Sequence, residues 1–446
     1  MSINDLMKSI DLALESASCD IDAVEEASPA ETAPELIYGS NGQIKSIQYN
    51  YGQILKYDGE LSGRFAYDSF KNKVMVRGPL IDGNLEELVP ISDNVVTKVL
   101  NYIGPAYRIE DEKKTMRAIR EVAEDYSFDS LLGKFDALVW DGVPRIETML
   151  TDLLGADDTV YTREVAKVMM RGAVCRAYVP GIQFDLMIVL VGRQGCRKTT
   201  FCRALALDPE WFEDNLGDLN KPDAARKIQG ILIVEMAELA ALKYTKSAET
   251  TRAFVTRTYD SCRLLYTEDT PHFPRRCIFI GTTNDYEFLR DPTGNRRYLP
   301  IECGLTCVEF DWTDEKKVKH YFEQIWAEAI TWYKSDPKGI VKQLKLPDWI
   351  EDDAETQRSR FKEDNPWIAP IRDYLDRYEQ DEICAKRLMV EVLQRDEHDP
   401  KSSQVINEIH SLMRSGFDDW EQIRDVPKRL GEYGLQRIYY RKKRDR

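Results

Sequence analysis

The string VGRQGCRKTTF at 191–201 offers the clearest chemistry in the chain. An apolar run, FDLMIVLVG (184–192), enters a loop at Gly192 that continues through Gln194, Gly195, Cys196 and Arg197. Lys198, Thr199 and Thr200 then open the helical FCRALALD. That order suits a polyphosphate. Backbone N–H groups in the loop and at the helix start point at phosphate oxygens, the lysine neutralises charge, and a hydroxyl holds Mg²⁺. Arg197 stands where such loops carry glycine. Glycine lets the backbone approach phosphate and tolerates positive φ, and arginine does so less readily. The arginine either points outward, adds a phosphate contact, or marks a loop that binds nucleotide poorly.

Further along, ILIVEMAEL carries Glu235 at the end of an apolar run and Glu238 one turn later. Phosphoryl transfer needs a carboxylate near the metal and another group to orient water. Thr199 and Glu235 are therefore the candidate metal residues, and Glu235 and Glu238 the candidate acids. The plainer alternative is a helix N-terminus with acids placed for its dipole. Asn284 closes RRCIFIGTTN, where a polar side chain can sense phosphate or position water, although Asn is also an ordinary turn residue. Arg296 and Arg297 follow a Gly-Asn turn. Paired arginines can stabilise charge in an adjoining subunit's site, or make surface ion pairs of little worth.

Between these elements, Arg252, Arg257, Arg263, His272, Arg275 and Arg276 interleave with Phe254, Tyr259, Tyr266 and Phe273. Basic and aromatic residues together suit single-stranded nucleic acid, through phosphate contact and base stacking. A solvated strand–turn–strand face has the same composition. The terminal RKKRDR either touches phosphate or is a solvated tail.

Several elements must position these residues. Three continuous apolar runs, at 184–192, 230–238 and 275–284, read as buried parallel strands separated by helices. Upstream, 43–90 favours short strands and turns, while 113–123 and 163–178 follow helical spacing. Downstream, 314–333 is an amphipathic helix and 349–361 a charged linker helix. The segments AKRLMVEVLQ, SSQVINEIHSLMRSGF and GLQRIYYRKKRDR suggest helix, helix and closing strand, compatible with a winged helix. The chain thus divides into an acidic flexible arm (1–35), a small α+β domain (36–150), the α/β core (151–335), a helical linker (336–364) and a carboxy-terminal domain (365–446). A short helix-like stretch at 4–14 opens the arm.

Composition narrows the class. With 446 residues, 43% of them hydrophobic, the chain can build several cores. No apolar run approaches the ~18 residues that span a bilayer, and the amino terminus has no basic, cleavable signal. A cytoplasmic protein is expected. None of the nine cysteines forms a C-x-x-C pair, so Cys303 and Cys307 read as reduced thiols and not a zinc site. The net charge of −15 opposes nucleic-acid binding overall, but local patches decide that affinity.

Four strings together, WDGVPRI at 140–146, VGRQGCRKTTF at 191–201, VEMAEL at 234–239 and FIGTTNDYEFLRDPTGNRRYLP at 279–300, resemble the virulence-associated E family of phage- and plasmid-type replication proteins. That family is similar to superfamily-3 helicases within the AAA+ ATPases, and the resemblance spans roughly residues 45–300. It implies a P-loop core of that type and an ATP-dependent DNA helicase acting as a ring, with a hexamer expected. Lys198 and Thr199 would meet phosphate and Mg²⁺, Glu235 and Glu238 would be the acidic motif, Asn284 the sensor, and Arg296 or Arg297 the finger. It implies ATP and Mg²⁺ as cofactors, single- and double-stranded DNA as partners, and a primase supplied by another chain. The rival reading is a DNA-binding initiator or regulator that binds nucleotide with little or no turnover. A third is an ATPase that remodels protein partners.

Overall fold

The computed structural model describes residues 33–78, 88–237, 245–262, 272–286, 288–289, 295–361, 367–396, 402–415, 417, 419–422 and 427–442. The expected helix at 4–14, most of the acidic arm, Glu238, Arg263, Tyr266 and residues 443–446 lie outside them. Two compact units emerge: residues up to Tyr286 together with Arg296–Arg358, and Glu287–Asn295 together with Ser359–Arg446.

The first unit opens with helix α1 (Gln48–Tyr57), strands β1 (Phe65–Asp68), β2 (Lys73–Val76) and β3 (Val89–Pro90), helices α2 (Asp93–Tyr107) and α3 (Glu112–Asp125), and strand β4 (Ser127–Phe128). The four strands form one sheet in the order β3-β2-β1-β4. Tyr51, Ile54 and Leu55 of α1 meet Val95, Val99 and Ile103 of α2 and Ile119 and Val122 of α3 in a separate core. The α3 start follows its sequence: Asp111 accepts a hydrogen bond from the Lys114 N–H as N-cap. Helix α1 departs from the expected strands and turns. Its buried residues, Asn50, Tyr51, Ile54 and Leu55, fall at helical spacing, but Gly52 and β-prone Tyr and Ile residues disguise it.

Helices α4 (Ser130–Asp136), α5 (Met149–Leu154) and α6 (Val160–Tyr178) lead into the central sheet. There follow β5 (Met187–Val191), α7 (Lys198–Leu205), β6 (Phe212–Glu213), α8 (Pro222–Lys227) and β7 (Ile233–Met236). Helix α9 (Thr245–Val255), the hairpin β8 (Tyr259–Ser261) and β9 (His272–Pro274), β10 (Ile278–Thr283), β11 (Tyr298–Glu302) and α10 (Glu315–Ser335) complete the block. The sheet is parallel, in the order β11-β5-β10-β7-β6. Every residue of β5 and β10 is buried, which is why both read as unbroken apolar runs.

Strand order dictates where a ligand can sit. From β5 the chain crosses to the far edge at β6, returns through β7 to β10, then passes β5 to reach β11. Connections from the adjacent strands β5 and β10 therefore run in opposite directions, which opens a crevice at their carboxyl ends.

The WDGVPRI string is a strap on α10. Gln324 Oε1 accepts from the Asp141 N–H at 2.8 Å, and Glu328 Oε2 accepts from the N–H groups of Arg145 and Ile146 at 2.6 and 3.1 Å. Arg145 grips Asp141 through both terminal nitrogens. Trp326 of α10 donates to Leu205 O at 2.8 Å, so the strap and the end of α7 share one support.

In the second unit, α11 (Ile368–Arg377), β12 (Glu382–Cys384), a helical turn at Ala385–Arg387 running into a π-helical stretch (Leu388–Val392), and α12 (Ser402–Ser415) precede the remaining strands. These are β13 (Trp420–Glu421), β14 (Lys428–Arg429), β15 (Leu435–Gln436) and β16 (Ile438–Arg441). The sheet order is β12-β16-β13, antiparallel, with β14 and β15 as a separate hairpin. Ile371, Leu375, Leu388, Ile409, Met413 and Tyr439 fill its core.

Candidate nucleotide site

Two loops meet in the crevice. In the β5–β10 register Val191 lies opposite Thr283, so Gly192 and Asn284 leave the sheet side by side. The Gly192 N–H donates to Thr283 O at 3.2 Å. A Cβ on Gly192 would come within 2.7 Å of Cys303 O, so only glycine fits there, and Gly195 has φ +95°, a conformation that glycine alone adopts readily. The Cys196 sulfur lies against Gly304, where an added Cβ would meet it at 2.7 Å. Gln194, Thr199 and Thr200 are exposed on the loop and helix start.

Lys198 is the first residue of α7 and is buried. Its ammonium donates to Gly192 O at 2.6 Å, Arg193 O at 3.0 Å and Asn284 Oδ1 at 2.9 Å. One cation thus joins the loop after β5 to the residue after β10. The Phe201 N–H closes the first helical turn onto Arg197 O. The N–H groups of Lys198, Thr199 and Thr200 have no acceptor within the helix, which leaves donors and the positive dipole end facing the crevice.

Glu235 sits inside the sheet, 2% exposed. Its Oε1 accepts from the hydroxyls of Thr199 and Thr282, both at 2.7 Å. Thr282 had no signal in the sequence. It lies two residues beyond Ile280, the register partner of Glu235, and so faces the same side of the sheet. Glu235 Oε2 is buried without a hydrogen-bond partner. A buried carboxylate oxygen without a donor is costly, and a cation relieves that cost. Mg²⁺ is ordinarily held by one or two protein oxygens together with water and phosphate, so Glu235 with the Thr199 hydroxyl fits it. Among the described residues no cluster of three or more His, Cys, Asp or Glu could hold a metal alone.

Arg197 occupies the glycine position with φ +57° and ψ +23°. Left-handed backbone costs an arginine about 1–2 kcal/mol. The side chain is exposed and turned outward, with its guanidinium carbon 5.9 Å from the centre of the Trp312 ring.

Arg296 and Arg297 are not at this crevice. They precede Tyr298, which pairs with Met187 at the opposite end of β5, about 16 Å along the strands from the loop. Arg296 is exposed, and Arg297 Nε lies 3.4 Å from Asp185 Oδ2, close enough for an ion pair but without hydrogen-bond geometry. From that edge neither reaches the site of its own chain.

The basic–aromatic segment splits. Arg257 is exposed and stacks on Phe254 at 5.0 Å, Arg252 is half-buried on α9, and His272 is exposed with Nδ1 2.7 Å from Ser261 Oγ. Arg275 and Arg276, expected at nucleic acid, are instead internal. Arg275 is fully buried, donates through Nε to Asp260 Oδ2 at 2.7 Å and through Nη1 to Phe254 O, and stacks on Phe254 and Phe279. Arg276 pairs with Asp129, donates to Ala177 O at 2.9 Å and stacks on Phe70. These two arginines bind the hairpin base and β10 to their neighbours. Arg275→Lys, which keeps the charge but loses the fork, is expected to destabilise the chain by ~2 kcal/mol, read as a lower urea midpoint with an unchanged slope.

Eight described cysteines are free, and burial pushes the Cys303 thiol up to about 12, leaving it unreactive. No helix among the described residues is long and apolar enough to cross a membrane.

The sequence model of the Virulence-associated protein E-like domain matches residues 135–363, just over half of the 446. No curated protein matches the chain. Among solved structures, "The apo structure of NrS-1 C terminal region (305-718)" is 12% identical, covers 84% of this chain and 95% of its own, and has a TM-score of 0.46. Two A-form apo structures of the same region are 10% and 13% identical, each covering 85% of this chain and 96% of its own, at TM-scores of 0.42 and 0.41.

Proposed function

Because the chain belongs to the Virulence-associated protein E-like family, we propose that it is an ATP-driven DNA translocase or helicase of mobile-element replication, built on a P-loop core and working as a ring oligomer. The observation that carries this reading is the convergence of Lys198, Asn284, Thr199 and Glu235 at the carboxyl ends of β5, β10 and β7. A triphosphate needs a cation and free N–H donors, and its Mg²⁺ needs a hydroxyl and a carboxylate in the same site; these residues supply them.

In this reading ATP lies over the turn at 192–197, with its phosphates along the N-terminus of α7. Lys198 exchanges its loop carbonyls for phosphate oxygens while Asn284 stays in reach of the terminal phosphate. Thr199 and Glu235 would hold Mg²⁺, which would supply positive charge beside the phosphates. Glu238 remains the candidate for orienting water. Arg296 or Arg297, on the far edge of the sheet, would complete the site of an adjoining subunit. A finger at that position would serve only a neighbour, so this role requires an oligomer. DNA contact is assigned to Arg252, Arg257 and His272 around the β8–β9 hairpin, and to Arg263, which lies outside the described residues. The order helix, strand, helix, helix and antiparallel strands with a hairpin supports a winged-helix reading of the second unit.

Thr282 fixes the rotamer of Glu235, so Thr282→Val is expected to raise the Mg²⁺ concentration for half-maximal ATPase rate about tenfold, as loss of an outer-shell partner does. A metal titration of phosphate release checks it. The function as a whole is tested on a forked duplex with Mg-ATP. Strand displacement by a species several protomers in mass supports the motor, while nucleotide-dependent duplex binding with no phosphate release supports the initiator or regulator.

A further inference from the structure

The residue that breaks the phosphate-loop pattern has a built resting place. Arg197 carries left-handed backbone and its guanidinium lies over the Trp312 ring. Trp312 is itself anchored. Its ring meets Phe310 edge-on at 5.3 Å and Phe322 at 6.0 Å, and Phe322 packs edge-on against Phe201 of α7 at 5.7 Å. The indole is therefore linked, through Phe322 of α10, to the helix that begins at the loop. The Asp311 carboxylate, held below its usual range chiefly by the Thr313 hydroxyl and N–H, adds a negative charge on the same side, shared by Lys317 and Arg197.

We propose that Trp312 is a positioning residue for the phosphate-binding turn: by stacking on Arg197 it keeps that side chain out of the phosphate path and holds the left-handed backbone that glycine would adopt unaided. The inference rests on the nucleotide reading of the turn and assigns a residue to it. The aromatic face attracts the guanidinium only while the cation lies over it, so ring and arginine should act as one unit. Without the ring, the guanidinium can swing toward the loop mouth, where it competes with the nucleotide for space.

The test is a double-mutant cycle on the full chain, with Mg-ADP titrated calorimetrically into the natural protein, W312A, R197G and R197G/W312A, and thermal melts of all four. W312A should weaken ADP three- to five-fold, on the order of one surface cation–π contact, and W312F should restore most of it. In the R197G background the same substitution should cost nothing further in affinity. Equal losses in both backgrounds, or no loss beside Arg197, overturn the proposal. Should the natural protein take up no ADP, the nucleotide reading fails, and the melts then decide this one. A W312A destabilisation larger beside Arg197 than in R197G upholds the stack, and equal destabilisation overturns it.

Discussion

Lys198→Ala is expected to lower ATP turnover on the order of 10³-fold, ~4 kcal/mol in the barrier, while leaving the chain folded. The ammonium is the only charge that reaches both Asn284 and the carbonyls of the turn among the described contacts, and it is buried. A phosphoryl group passing between oxygens spreads negative charge that a fixed cation stabilises more in the transition state than in water. Removing the side chain leaves two loop carbonyls without this donor, a stability cost of roughly 1–3 kcal/mol, which a chain of this size survives. Phosphate release and a thermal melt on the same sample separate the two effects. Turnover within tenfold of the natural rate would place the chemistry elsewhere.

Glu235→Gln should cost a similar factor, on the order of 10³ in turnover, but by a different route. The amide is nearly isosteric, and its oxygen can still accept the Thr199 and Thr282 hydroxyls. What is lost is the charge on the buried, unpartnered oxygen that is suited to a cation. Nucleotide binding without metal should therefore survive, whereas the gain in affinity on adding Mg²⁺ should vanish. Measuring affinity with and without Mg²⁺ checks this. An unaltered metal dependence would mean that another carboxylate holds the ion.

Burial leaves a plain mark on the sequence where both faces of a strand are covered. Strands β5, β7 and β10 were legible as apolar runs because parallel strands covered on both faces keep no polar alternation. Their order, which puts Asn284 beside Lys198, was not, since strand neighbours are set by crossovers that leave no local pattern. Thr282 was hidden for a related reason: a hydroxyl inside an apolar run becomes a ligand of Glu235 only through the register. The misplacement of Arg275 and Arg276 has a different origin. Interleaved arginines and aromatics form the same string whether they stack on bases or on one another, and here they stack inside the protein. Only their ion partners, Asp260 and Asp129, distinguish the cases, and Asp129 is distant in sequence. The arginine in the turn was legible as an anomaly, but not its remedy, because Trp312 lies more than a hundred residues away.

Calorimetric titration of a non-hydrolysable ATP analogue with Mg²⁺ into the full chain bears most directly on the phosphate-binding turn. Saturable uptake of one analogue per protomer, abolished by K198A in protein that still melts cooperatively, is the outcome this site requires. No heat of binding from well-folded natural protein, or uptake that K198A leaves intact, would contradict it.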